Sequence, residues 1–130
     1  MTKRFSLTIG ILAFVAGVFA FIPNALVGTN ALFASNAMTG VIDIILGIIF
    51  IYVAYKEDGA IAKFYKVIGI IAVVAAAICF LLAGSAGAGS LLGISFNNAD
   101  SWLVLIVGIT LITLAEKISA KIKLATPAKK

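Results

Sequence analysis

The side chain with the most chemistry to offer is Asp43, a carboxylate inside an otherwise apolar run. At 1.5 Å per residue it lies roughly 9–10 Å below the outer end of its predicted helix. Placing a carboxylate at that depth in lipid costs a few kcal/mol on insertion scales, about 2.5–3.5 at the helix centre. Asn36, Gly40, Asp43 and Gly47 recur at spacings of four, three and four, with Thr39 beside them. This spacing predicts one small, polar helix face turned into a bundle rather than toward lipid. Two readings follow. Asp43 could bind a proton or cation in a small transporter, or it could clamp its helix to a neighbour as a structural group. No basic residue, histidine or second acid lies at comparable depth, so a coupled ion pathway has few stations.

Other chemistry is scarce. The chain has no histidine and one cysteine, Cys79, inside an apolar run, where it reads as a small packing residue. Thiolate metal sites, a Ser/His or Cys/His pair and the usual haem or zinc ligand are excluded, so no catalytic residue, metal site or cofactor is assigned. An enzyme would have to work through Asp43, Asp100 and hydroxyls alone; the expectation is a non-enzymatic protein. Asp100, in Asn98-Ala-Asp100-Ser101, suits the start of a helix as a cap. The run of residues 84–90, Gly-Ser-Ala-Gly-Ala-Gly-Ser, lacks the Lys-Ser/Thr of a phosphate cradle and reads as a flexible linker.

Four apolar runs must position these groups: residues 5–22, 37–55, 64–83 and 101–115. Apolar residues make up 63% of the 130-residue chain and charged residues 12%, with a mean hydropathy of +1.22. A soluble domain carries about a quarter charged residues, so lipid must replace the missing polar shell. A bilayer core about 30 Å thick needs roughly 20 residues per helix. Four spans then account for most of a single domain covering residues 1–130. Met1-Thr-Lys-Arg before residues 5–22 has the shape of a secretory signal and is read as a retained first span. Pro23-Asn24 should end it. A short apolar patch at residues 91–96 is expected at the outer interface. Residues 116–124 should continue the fourth helix along the inner surface, followed by a disordered tail.

Charge sets the orientation. The ten basic residues fall before the first run (Lys3, Arg4), between the second and third (Lys56, Lys63, Lys66) and after the fourth (Lys117, Lys121, Lys123, Lys129, Lys130). Residues 23–36 and 84–99 carry none. This positive-inside pattern predicts a multi-pass inner (plasma) membrane protein with both termini cytoplasmic. The net charge of +5 and pI near 9.6 then reflect attraction to the anionic inner leaflet through Lys117, Lys121 and Lys123, and not nucleic-acid binding. Trp102 at the outer interface, and Tyr52, Tyr55 and Tyr65 at the inner one, fit aromatic belts.

The halves resemble each other. Sliding the chain by 61 residues sets Asn36 on Asn97, Gly47 on Gly108, Ile51 on Ile112 and Ala54 on Ala115. Each half holds two spans, so a parallel duplication of a helical hairpin is expected. Ala13/Gly17 and Ala16/Ala20 have small-xxx-small spacing that permits close helix approach, and Gly108 is expected to serve packing likewise.

Asp100-Ser-Trp-Leu103-Val104-Leu-Ile-Val-Gly108 resembles the D-x-x-L-H-x-x-x-G signature of a bacterial family of small four-helix membrane proteins known only as a domain of unknown function, the DUF4383 family. A similar N-x-x-H-x-x-x-G motif of that family is matched in place by Gly40-Val-Ile-Asp43-Ile-Ile-Leu-Gly47. Both characteristic histidines are replaced here, by Asp43 and Val104. The resemblance implies an all-α integral membrane four-helix bundle and no particular activity. The leading functional expectation is an accessory or structural subunit, or a homo-oligomer, associating through helix packing with other membrane subunits or itself. The alternatives are a small proton- or cation-coupled transporter or channel using Asp43, and a lipid or quinone binder between the halves.

Overall fold

An uninterrupted apolar run with no internal proline forms α1 (Thr2–Phe19) in the computed structural model, which describes residues 2–22, 24, 26–28, 32–34, 36–91 and 94–125. Pro23, Thr29, Asn30, Ser35 and the tail 126–130 with Lys129 and Lys130 lie outside the described residues. The end of α1 is closed by Asn24. Its Nδ2 donates to the carbonyls of Phe19 (2.8 Å) and Ile22 (2.6 Å), while its Oδ1 accepts from the N–H groups of Leu26 and Val27. One side chain thus stops the helix and turns the chain.

Helix α2 (Ala37–Val53) starts at Asn36, whose Oδ1 accepts the Thr39 N–H at 3.0 Å. Helix α3 (Asp58–Ala83) already begins in the basic turn after Lys56, and α4 (Asn98–Ala125) runs unbroken through the expected inner extension. Among the described residues, Asp58–Ala86 and Asn98–Leu124 are long and apolar enough to cross a membrane; Ala37–Val53 is apolar but shorter.

The connections opposite the charged end are more ordered than expected. Residues 84–90 are not a flexible linker. Gly84 (φ 51°) opens a short 3₁₀ turn, Gly84–Ala86, and Gly87 (φ 73°) closes it, both at the positive φ that glycine adopts most readily. Strand β3 (Ala88–Leu91) then pairs antiparallel with β4 (Ile94–Asn97). In the first half, β1 (Val27–Gly28) and β2 (Phe33–Ala34) make a two-residue parallel pairing. Phe96, expected at the outer interface, is buried instead (4% exposed).

Helices α1 and α2 form one antiparallel hairpin, α3 and α4 the other, each held by glycines in backbone contact. A Cβ on Gly47 would stand 2.6 Å from the Gly10 carbonyl oxygen, and one on Gly17 2.6 Å from that of Gly40. In the second hairpin, a Cβ on Gly108 would stand 2.9 Å from the Gly69 carbonyl oxygen. The close approach uses Gly10 and Gly17, seven residues apart, with Ala20 touching Gly40; Ala13 and Ala16 are not among these nearest contacts.

The hairpins meet at their charged end, around Phe50, Val53, Ile61, Tyr65, Leu111 and Ala115. Tyr65 is a correction to the aromatic-belt expectation. It is fully buried, its hydroxyl hydrogen-bonded to Ser6 Oγ and its ring edge-on to Phe5 at 5.9 Å. Tyr52 and Tyr55 are exposed, with Lys56 Nζ 4.5 Å and Lys3 Nζ 4.3 Å from their ring centroids. Glu116 pairs with Lys66 at 3.2 Å across the second hairpin, both side chains remaining exposed.

Candidate functional site

Away from the charged end the hairpins part, and a cavity of about 550 Å³ opens between α2, α3 and α4, roofed by β4. Its walls are mostly aliphatic: Ile42 and Leu46 from α2, Ile68, Ile71, Ala72, Ala75 and Ile78 from α3, Leu103 and Val104 from α4. Ile94 and Phe96 come from β4. The polar lining is confined to Thr39, Asp43, Cys79, Asp100 and Ser101. All five lie toward the end where β4 sits.

The sequence-selected residues separate into two groups. Thr39, Asp43 and Asp100 are brought together around the cavity. Asn36 serves as the cap of α2, and Gly40 and Gly47 face α1. The stripe expected to act as one face therefore divides. At about 100° per residue, Asp43 stands roughly 50° off the line through Gly40 and Gly47. That offset is enough to aim it past α1 toward α3 and α4. Gly108 faces Gly69 and does not touch the cavity.

Asp100 is one partner in a reciprocal cap. Its Oδ2 accepts the Asn97 N–H at 2.9 Å, and Asn97 Oδ1 accepts the Asp100 N–H at 2.9 Å. Asn97 Nδ2 also donates to the Leu32 carbonyl at 2.9 Å, tying the α1–α2 and α3–α4 connections together. Ser101, fully enclosed at 1% exposure, donates its hydroxyl to the Asn97 carbonyl. Asp43 has no such framework. Its carboxylate makes no hydrogen bond or ion pair among the described residues, and it interacts electrostatically with Asp100 across the cavity.

Thr39 adds a hydroxyl that donates to Asn36 Oδ1 at 3.1 Å. No group of three His, Cys, Asp or Glu residues suited to a metal ion occurs among the described residues. The arrangement can hold a mostly apolar molecule and present one uncommitted carboxylate to it.

Sequence reasoning missed Ser6, Gly10, Gly69 and Ser101. Gly10 and Gly17 share the seven-residue spacing of Gly40 and Gly47, and that matched spacing was a signal for the pairing. Nothing in the sequence marked Ser6 as the partner of a tyrosine 59 residues away. Comparison of the chain with protein-family models, curated proteins and solved structures returns no match.

Proposed function

We propose that the chain is a four-span inner-membrane protein with both termini cytoplasmic, built as a parallel duplication of a helical hairpin. Its role is non-enzymatic, acting through helix packing as an accessory or structural subunit or a homo-oligomer. The observation that carries this reading is the outward face of the helices at mid-length. Ile48, Ile70 and Ile109 are 54%, 48% and 53% exposed, with Ile45, Val74 and Ile106 beside them. An exposed apolar band of this kind needs a nonpolar solvent or a partner. Lys3, Arg4, Lys56, Lys63, Lys66, Lys117 and Lys121 all sit where α1 and α3 begin and where α2 and α4 end, on one side of that band. The resemblance to the DUF4383 family, through Asp100, Leu103, Gly47 and Gly108, supports the same architecture.

Single cysteines introduced in a Cys79→Ser background test the topology. A cysteine at Ser90 should react with an impermeant maleimide from outside intact cells, and cysteines at Lys63 and Lys117 should react only after lysis. Labelling of Lys117→Cys in intact cells refutes the orientation. Purification in mild detergent tests the role, with a constant-stoichiometry partner or a defined homo-oligomer expected and a lone monomer refuting it.

The cavity favours a second reading, in which Asp43 serves a small proton- or cation-coupled transporter. Proteoliposome flux abolished by Asp43→Asn would establish that reading over the accessory role.

A further inference from the structure

We infer that the cavity between the hairpins is a binding site for an amphiphilic organic monocation, its ammonium-like centre set against Asp43 and its apolar body against α3 and α4. The inference rests on the membrane reading and goes beyond it by naming a ligand class. Three observations converge.

The volume, about 550 Å³, falls among cavities that enclose small organic ligands. The lining is aliphatic except at one end, which selects a molecule with a large apolar part and a single polar one. The lining includes two carboxylates and no basic residue, so an anion is repelled and a neutral ligand leaves Asp43 without a partner. Asp100 already takes the Asn97 N–H within its reciprocal cap and lies at the positive end of the α4 dipole. Asp43 is the uncommitted carboxyl, and a single positive charge beside it favours and satisfies its ionised form. A metal ion is disfavoured because no third ligand stands with the two acids among the described residues. The ligand's cation is a shared chemistry with two sources, the ammonium headgroup of a membrane lipid or a free lipophilic cation.

The test uses the full chain in lipid nanodiscs with radiolabelled tetraphenylphosphonium as probe and tetraphenylborate as its anionic counterpart. Wild type should bind the phosphonium saturably and the borate not at all. Asp43→Asn should weaken phosphonium binding by about tenfold or more, the scale of one charge-assisted contact. Asp43→Glu should restore it. Ala75→Phe, which fills the cavity and leaves both acids in place, should also block it. Circular dichroism and a monodisperse elution profile report that each variant is folded.

Binding that depends on Asp43 in phosphatidylglycerol discs and disappears in phosphatidylethanolamine discs assigns the resident occupant to a lipid headgroup. Equal Asp43-dependent binding in both assigns it to a free cation. Equal binding of borate and phosphonium, or a wild type no better than Asp43→Asn in both kinds of disc, overturns the site. A chain that fails to insert into discs overturns the membrane reading first and the site with it, so the two failures are told apart.

Discussion

The first hairpin and the second are packed alike and lined differently. Gly47 on Gly10 and Gly108 on Gly69 set the same close crossing. Phe50 and Leu111, then Ala54 and Ala115, occupy matching buried positions below those glycines. Asn36 and Asn97 each accept an N–H three residues on. The difference lies in the charges. The first hairpin carries its acid inside the helix, at Asp43, where the second has Val104; the second carries its acid in the cap, at Asp100, where the first has Thr39. Backbone-to-backbone contact leaves no freedom at the glycines. The cavity wall tolerates exchange, because a side chain there meets space on one side. Packing therefore preserves the likeness, and the open interior allows the halves to diverge.

The sharpest way to break the likeness is at the crossings. Gly47→Leu and Gly108→Leu should each destabilise the protein by about 3 kcal/mol or more, read as a shift in the unfolding midpoint in mixed micelles. Gly47→Ala should cost more than Gly108→Ala, since the nearest backbone oxygen lies 2.6 Å from the new Cβ in the first case and 2.9 Å in the second.

Asp43→Val makes the two cavity-facing positions alike. It should ease membrane insertion of α2 by about 2–3 kcal/mol in a glycosylation-reporter assay. Removal of the caps comes next. Asn36→Ala and Asn97→Ala should each cost about 1 kcal/mol, read as a shift in the unfolding midpoint. The smallest effect is expected at the exposed Lys66–Glu116 pair, where Lys66→Ala should change stability by less than about 0.5 kcal/mol.

Much of this frame was legible in the sequence. The four apolar runs, which became four helices, and the offset between Asn36 and Asn97, which became two matching helix caps, each report a constraint that acts along the chain. The parts that were not legible depend on packing across it. Tyr65 stands near a helix start at the basic end, as an interfacial tyrosine would, but it turns inward onto the Ser6 hydroxyl and the Phe5 ring. Asp43 shares a periodic stripe with Gly40 and Gly47, but a modest angular offset sends it to a different neighbour. The Gly-Ser run at 84–90 has the composition of a loose connection, yet two of its glycines have the φ signs of a tight turn leading into a strand. Composition reports how easily a segment bends, and the strand opposite decides whether it does.

The Ser6–Tyr65 contact has a consequence for assembly. Ser6 precedes Gly10 by the same four residues that separate Tyr65 from Gly69, so the two occupy corresponding places in α1 and α3 and touch each other between the hairpins. Two identical hairpins meeting through these places would set like against like. Two serines would leave a hole, and two tyrosines would overfill it. A knob on one half and a socket on the other make the hairpin's best mate its tethered sibling, and bias the chain against exchanging halves with its neighbours.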